Sequence, residues 1–229
     1  MFIWESHIEM PSYLQDRLIK SFEHHSRFWN TEDELFVLQP DDKFNNININ
    51  NINFEPSGTE DQSSEISDSL YVINDYPELG IEIIKIFQQY TVDVLKLKNQ
   101  FTISTSWFTK MKPKDTCRFH RHYNSFYSGL YYFNDYEVNS GNICFLDPLN
   151  SFNNFLIVPD SEQDCSIHNS KEWKIRPEKN MLIFFPSYLE HSILSNTSKK
   201  NRYSLAFNFV PIGKYGVGDS TYNTEWFKT

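Results

Sequence analysis

Two histidines separated by one residue, His120 and His122, are the first residues of this sequence that could bind a metal ion. They fall in a short β-type run, where side chains two positions apart point to the same face, roughly 7 Å apart along the strand. A third histidine, His191, follows a turn about seventy residues later. Three neutral imidazole nitrogens on one face suit zinc, iron, nickel or copper. Paired histidines also occur on polar strand surfaces, so the pair alone is weak evidence for a metal site.

An arginine strengthens this interpretation. Arg202 lies 11 residues after His191, at the start of an apolar β-type run. A guanidinium that is buried in a sheet needs an anionic partner, and its rigid fork matches a carboxylate. Ser204 falls on the same face of the strand and can add a hydroxyl donor. The alternative is an exposed arginine at a strand end, which Arg202 taken alone would favour.

The order of these residues is similar to that in a known superfamily. His120-x-His122, then His191, then Arg202-x-Ser204 resembles the Fe(II)/2-oxoglutarate-dependent oxygenases. More narrowly, the sequence resembles oxygenases common in phages of marine cyanobacteria and in some bacteria. The resemblance covers residues 100 to 211 or so. Its shared segments are Ser106-Trp107, His120 to Ser125, Ser128 to Tyr132, Phe145-Leu146-Asp147-Pro148, Phe184-Phe185-Pro186-Ser187 and Arg202 to Asn208.

The resemblance implies an enzyme with Fe(II) and 2-oxoglutarate as cofactor and cosubstrate. It implies that Arg202 pairs with the distal carboxylate of 2-oxoglutarate, helped by Ser204 and Tyr132. The reaction would convert 2-oxoglutarate and O2 to succinate and CO2, with ascorbate as the reductant of the iron. The second substrate would be hydroxylated, and a protein side chain, an amino acid and a small metabolite all stay open.

One position departs from the pattern of the superfamily. Most members place Asp or Glu two residues after the first histidine, and this sequence places His122 there. We predict that His120, His122 and His191 bind the metal, and Asp147, Asp135 or Asn124 are the alternatives to His122 as the third ligand. A neutral histidine in place of a carboxylate leaves the metal centre one charge more positive. A cupin-like metal-binding protein without 2-oxoglutarate chemistry therefore stays open, as does a catalytically silent jelly roll that acts in binding.

Short β-type runs separated by turns follow residue 100, which is typical of a sandwich, a jelly roll or a small barrel. With the resemblance, they predict a mainly β fold: a double-stranded β-helix (jelly-roll, cupin-like barrel) with N-terminal flanking helices. The predicted strands are Phe101–Phe108, Cys117–His122, Ser128–Phe133, Asn142–Leu146, Phe155–Val158, Glu172–Arg176, Met181–Phe185, Ser192–Leu194 and Arg202–Val210.

The rest of the chain is expected to support this core within a single oxygenase domain, residues 1-229. Residues 1-100 would form a helical support with a polar loop near 45-68, residues 101-211 the double-stranded β-helix, and residues 212-229 a tail. An edge strand is predicted over Met1–Glu9 and a helix after Pro11. A second helix is expected to be capped by Asp75 and to start at Pro77. Its apolar stripe, which should pack on a sheet, is Ile83, Phe87, Tyr90, Val94 and Leu97.

Composition restricts the partners of the protein. A formal net charge of −9 over 229 residues disfavours binding to nucleic acid and to anionic membranes. Three cysteines without a CxxC pair suggest neither a disulfide framework nor a thiolate zinc site, and a reduced cytoplasmic setting fits (the host cytoplasm, if the protein is phage-encoded). The aromatic tail, with Trp226-Phe227, is compatible with a homodimer.

Overall fold

A computed structural model describes residues 53–56, 63–148 and 170–224. Four predictions fall outside these ranges: the edge strand over Met1–Glu9, the helix after Pro11, the strand Phe155–Val158 and the aromatic end of the tail at Trp226-Phe227. Much of the predicted polar loop near 45-68 also lies outside them.

β-Strands are the main regular structure of the described chain from residue 100 onward, as the sequence predicts, and they follow the one α-helix of the described residues, α1 (Pro77–Asp93). Short 3-10 helices cover Val72–Asp75 and Gly218–Ser220. In chain order the strands are β1 (Phe54–Pro56), β2 (Glu65–Ser67), β3 (Gln100–Met111), β4 (Cys117–His120), β5 (Tyr127–Tyr131), β6 (Ile143–Leu146), β7 (Glu172–Ile175), β8 (Leu182–Pro186), β9 (His191–Ile193), β10 (Arg202–Ile212), β11 (Lys214–Tyr215) and β12 (Tyr222–Asn223).

Two antiparallel sheets form the body of the protein. One has the order β1-β2-β3-β10-β5-β8 and the other β4-β9-β6-β7. Leu130 and Ala206 of the first sheet pack with Ile143 and Phe145 of the second in one buried cluster, so the sheets face each other across an apolar interior. Strands that alternate between two facing antiparallel sheets in this way form a jelly roll. The predicted double-stranded β-helix is confirmed.

The long strand β10 shows how the first sheet divides its two faces. Leu205, Phe207 and Phe209 belong to a cluster with the helix α1, whereas Ala206 belongs to the interior cluster between the sheets. Side chains alternate along a strand, so Arg202 also lies on the interior side with Ala206. The interior face of β10 is therefore the face that carries the predicted polar residues.

The helix α1 covers the opposite face of the first sheet, as its apolar stripe predicts. Ile83 and Phe87 are fully buried, and the Phe87 ring stacks on the Phe209 ring with centroids 3.9 Å apart. Burying a phenylalanine side chain contributes about 1.5–3 kcal/mol. The helix starts at Pro77 as expected, but the predicted cap is wrong. Asp75 ends the preceding 3-10 helix, and the residue before Pro77 makes no side-chain capping bond.

The packing around Gly129 in β5 leaves no room for a larger residue at this position. A Cβ atom at this position would lie 2.3 Å from a carbon of the Phe207 ring and 2.7 Å from the Ile183 carbonyl oxygen. The glycine lets β5 pack between β10 and β8 with the Phe207 ring over it. This close packing holds the neighbouring residue, Ser128, in the buried interior, where its exposed fraction is 0%.

Two other predictions need correction. The segment near 45-68 is not loop throughout, because β1 and β2 pair with each other and β2 continues the sheet at the edge of β3. The segment after residue 212 contains a small hairpin of β11 and β12. In both places short strands with polar side chains gain backbone pairing from a neighbour, which composition does not reveal.

Among the described residues, α1 is the longest helix, and no helix has the length and hydrophobicity needed to cross a membrane.

Candidate metal and dicarboxylate site

The three predicted histidines meet at one end of the interior. His120 and His191 are direct partners across β4 and β9, so both side chains project from the same face of that sheet. His122 follows the end of β4, and its Nε2 atom lies 3.2 Å from Nε2 of His120. The potential ligand atoms of the three residues lie within 4.8 Å of one another. Arg121, between the first two, points away and forms an ion pair with Glu190.

Each of these rings is held from behind through its Nδ1 atom. Nδ1 of His120 lies 3.0 Å from the Arg118 carbonyl oxygen, and Nδ1 of His191 lies 2.9 Å from the Leu189 carbonyl oxygen. A carbonyl oxygen only accepts, so these nitrogens carry the proton and donate. The Nε2 atoms are then free of hydrogen and can bind a metal, which is the usual arrangement of histidine ligands.

Burial keeps two of the rings neutral. Desolvation, assisted by the neighbouring His120 and opposed by the hydrogen bond to the Leu189 carbonyl, lowers the pKa of His191 to about 3. Desolvation likewise lowers the pKa of His122 to about 4. Aromatic rings supply this environment: Phe185 lies 4.7 Å from His191 and Trp107 lies 5.6 Å from His122, measured between ring centroids. Neutral imidazoles at physiological pH are the form that a metal ion requires.

Arg202 is the second feature of the interior. Its exposed fraction is 1%, yet no carboxylate pairs with it within the described ranges. Its guanidinium donates to the Tyr132 hydroxyl at 3.0 Å and to Ser204 Oγ at 3.3 Å, and its Nε–H has no partner. A buried, unpaired cation is costly unless an anion occupies the site. The three predicted residues thus form a donor group suited to a carboxylate.

The structure also decides which tyrosine faces the interior. Tyr132 lies in the interior cluster and its ring stands 5.0 Å from the Arg202 guanidinium carbon, whereas Tyr131 packs on the helix side. Burial raises the pKa of Tyr132, and the nearby guanidinium only partly offsets this. Tyr132 therefore keeps its proton and can donate a hydrogen bond to an anion.

The alternative third ligands lie elsewhere. Asp135 is exposed and forms an ion pair with Lys179 at 3.4 Å. Asp147 is buried just after β6, but neither aspartate belongs to the group of described residues that could hold a metal ion. Asn124 has a left-handed backbone, with φ at +62°, and lines a cavity beside His122. The geometry favours His122.

That cavity has a volume of about 500 Å³ and a largely aromatic wall. Its volume is in the range of small-molecule sites. The one charged side chain in the wall, Arg121, is already paired with Glu190. The residues around it are Arg121, His122, Tyr123, Asn124, Ser125, Phe126, Tyr127, Pro186 and Tyr188.

Sequence reasoning missed the residues that surround His122. Its Nδ1 atom lies 2.7 Å from Oδ1 of Asn208 and 2.9 Å from Oγ of Ser128. A signal for Asn208 was available, because it falls on the same alternating face of β10 as Arg202 and Ser204. Ser128 gave no such signal, since many buried serines occur in β-sheets.

Comparisons with known proteins agree with this geometry. Residues 105–208 match the family model described as "Putative 2OG-Fe(II) oxygenase". No curated protein matches the sequence.

Several solved structures have a similar fold. The α-ketoglutarate-dependent epimerase SnoN from nogalamycin biosynthesis is 8% identical, with a TM-score of 0.56 over 91% of this chain and 85% of that chain. SnoN in complex with Fe3+, α-ketoglutarate and nogalamycin RO is 7% identical, with a TM-score of 0.50 over 69% and 68%. The carbocyclase SnoK is 12% identical, with a TM-score of 0.51 over 73% and 72%. At these identities the similarity shows the shared fold alone.

The match to the family model spans the part of the chain that carries the site. It contains His120, His122, His191 and Arg202, and the hydrogen-bonded pair Thr105 and Asn208 stands at its two ends. Residues 105–208 are therefore similar to the 2OG-Fe(II) oxygenases, whose family model they match.

Proposed function

We propose that this protein is an Fe(II)- and 2-oxoglutarate-dependent oxygenase that hydroxylates a second substrate. One observation carries the proposal: three imidazole Nε2 atoms converge in the same apolar interior that buries an arginine for which the described residues provide no carboxylate partner. A metal ion alone would explain the histidines, and an anion alone would explain Arg202. A metal-chelating dicarboxylate explains both.

In this proposal His120, His122 and His191 hold ferrous iron through Nε2. Arg202, Tyr132 and Ser204 bind the distal carboxylate of 2-oxoglutarate, with Arg202 supplying the charge. Bound iron supplies the oxidative decarboxylation of 2-oxoglutarate by O2, which gives succinate and CO2 and places one oxygen atom on the second substrate. Phe145, Phe185 and the rest of the apolar interior exclude water from the site.

Two further observations support the iron and 2-oxoglutarate assignment. The match to the family model covers all the proposed ligands. SnoN, which shares the fold, is described with Fe3+ and α-ketoglutarate bound. The two described cysteines, Cys117 and Cys144, are not joined in a disulfide, which is compatible with the reducing cytoplasm we propose as the location of the protein.

We propose that the second substrate enters by the cavity beside His122. Tyr123, Phe126 and Tyr188 are exposed aromatic residues at this cavity, and its one charged side chain is neutralised by an ion pair. Such a wall favours an uncharged, apolar part of a substrate over a phosphate or a free carboxylate. Among the open substrate classes, this favours an apolar side chain of a protein or a neutral metabolite.

The decisive experiment measures succinate formed from 2-oxoglutarate with Fe(II), O2 and ascorbate present. Arg202→Ala should raise the KM for 2-oxoglutarate by roughly 30-fold or more, because losing a buried charge pair costs about 2 kcal/mol or more. Metal binding should change little. Arg176→Ala is the matched control, since Arg176 forms a partly exposed ion pair with Glu178.

Two outcomes would contradict the proposal. Metal binding without 2-oxoglutarate turnover, in the presence of varied substrates, would favour the cupin-like metal protein. Absence of metal binding in the wild-type protein would favour the catalytically silent jelly roll. Zinc in the purified protein decides nothing, because most nitrogen sites bind zinc more tightly than ferrous iron.

A further inference from the structure

His122 occupies the position where most of the superfamily has a carboxylate, and the structure surrounds it with a specific set of hydrogen bonds. Its Nδ1 atom lies 2.7 Å from Oδ1 of Asn208 on β10, 86 residues later in the chain. Asn208 stands at a register shift of the β3–β10 ladder. Such irregularities re-aim a side chain, and here the side chain meets the back of the His122 ring.

The Asn208 amide is oriented with its oxygen towards His122 and Ser128 and its nitrogen towards Thr105. Its Nδ2 group donates to Thr105 Oγ1 at 3.0 Å, and Ser128 Oγ donates to its Oδ1 at 2.8 Å. The oxygen therefore faces His122, and the His122 Nδ1–H must donate to it. The proton is then on Nδ1, which leaves the Nε2 lone pair pointing towards His120. A reversed amide would place the His122 proton on Nε2 and prevent metal binding.

This arrangement is rigid because its members are buried and come from several elements. Ser128 is on β5, and its Oγ lies 2.8 Å from Oγ of Ser187, in the turn before β9. Ser125 donates to Ser187 at 2.7 Å from the loop that follows His122. Ser128 and Ser187 have exposed fractions of 0% and 1%. The network links β5, β10 and the turn before β9, and a buried network of this kind, fully satisfied, specifies one geometry.

We propose that Asn208 is a positioning residue that makes a neutral histidine a metal ligand at this position. It does so by accepting the Nδ1 proton of His122, so that Nε2 is the metal-binding atom. This inference rests on the metal site of the proposed function. Because Asn208 is neutral, the unit of His122 and Asn208 adds no negative charge to the centre, in contrast to the carboxylate found in most of the superfamily.

The test compares Asn208→Ala, Asn208→Asp and the control Ser104→Ala. Ser104 lies on β3 beside Asn208, but its hydroxyl bonds the Asn208 backbone oxygen and not its side chain. The probe is Co(II), whose binding is titrated calorimetrically and by its visible absorption under anaerobic conditions. Removing a hydrogen-bond partner of a ligand histidine lowers metal affinity about 10- to 100-fold, which is the result expected for Asn208→Ala.

Asn208→Asp separates positioning from simple packing. An aspartate has nearly the same shape and accepts the same Nδ1 proton, while the Thr105 hydroxyl can turn to donate to it. We expect Asn208→Asp to bind Co(II) at least as tightly as the wild type and Ser104→Ala to match the wild type. In the metal-free protein, ¹⁵N chemical shifts of His122 should report the Nδ1–H tautomer in the wild type and its loss in Asn208→Ala.

The outcomes distinguish this inference from the proposed function. Wild-type affinity in Asn208→Ala, or equal weakening in Asn208→Ala and Asn208→Asp, would overturn the positioning role while leaving the oxygenase proposal in place. An Nε2–H tautomer of His122 in the wild type would also overturn it. A wild-type protein that binds no Co(II) would overturn the metal site itself, and this inference with it.

Discussion

The two faces of the first sheet are made by alternate residues of the same strands, yet they are built for different purposes. On the helix side, Leu205, Phe207 and Phe209 of β10 are fully buried and contact only apolar neighbours. On the interior side, Arg202 is equally buried and its Nε–H has no partner. The buried side chains of the first face pack against other residues of the protein. In the proposed function, a bound ligand completes the second face, and this difference is what suggests that it is the functional one.

Truncation on the helix side should produce the largest loss of stability. Phe207→Ala removes a fully buried ring that packs on Gly129 and Phe184, and such changes cost about 3–5 kcal/mol. The free energy of unfolding, measured by denaturant titration, should fall by this amount. The KM for 2-oxoglutarate of the folded fraction should stay unchanged. A large rise in that KM would show that the two faces are not independent.

On the interior side, replacing Arg202 should leave the free energy of unfolding unchanged or raise it. Arg202→Met removes an unpaired buried charge and keeps similar volume, and such replacements are neutral or stabilising by about 1–4 kcal/mol. The variant should unfold at equal or higher denaturant concentration than the wild type. Addition of 2-oxoglutarate should stabilise the wild type but not the variant. If Arg202→Met is strongly destabilised without ligand, the guanidinium has a structural role and the contrast between the faces fails.

A smaller effect on the same face comes from Tyr132. Its hydroxyl accepts a hydrogen bond from Arg202 at 3.0 Å, and in the proposed complex it donates to the carboxylate. Tyr132→Phe should weaken 2-oxoglutarate binding by about 1.5 kcal/mol, roughly tenfold, since the bond involves a charged partner. Isothermal titration of 2-oxoglutarate into the metal-loaded protein measures this. Tyr131→Phe, on the helix side, is the matched control and should bind normally.

The smallest effect is expected on β2, near one end of the first sheet. Glu65 on β2 pairs with Lys110 and Lys112 of the neighbouring segment, and these hydrogen bonds lower the pKa of Glu65. A carboxyl group whose pKa is lower in the folded state stabilises the protein at pH values above the ordinary glutamate pKa. This stabilisation is lost as the pH falls through the pKa of the folded state. Thermal unfolding between pH 6 and pH 3 should show a shallower loss of stability in Glu65→Gln. Identical slopes would mean that solvent screens the pair completely.

Much of the core and its site could be predicted from local patterns. The alternation in β10 placed Arg202 and Ser204 on one face, and Pro77 gave the start of the helix that covers the other face. The spacing of His120 and His122 predicted that the two side chains would project together, although β4 ends at His120 and His122 lies just beyond it. These patterns are local because side-chain direction follows from the repeat of the backbone, which needs no knowledge of distant partners.

Only the tertiary structure shows which of these residues contact one another. The pairing of His120 with His191 and the contact between His122 and Asn208 depend on the register of strands far apart in the chain. So does the position of Arg202, whose Nε–H has no partner among the described residues. The short strands β1 and β2 in the segment near 45-68 were missed for the same reason, since the pairing of β2 with β3 and of β1 with β2 outweighs their polar composition. Composition and periodicity determine which residues can share a face. Long-range register determines which faces meet, and therefore which groups stay unsatisfied until a ligand binds.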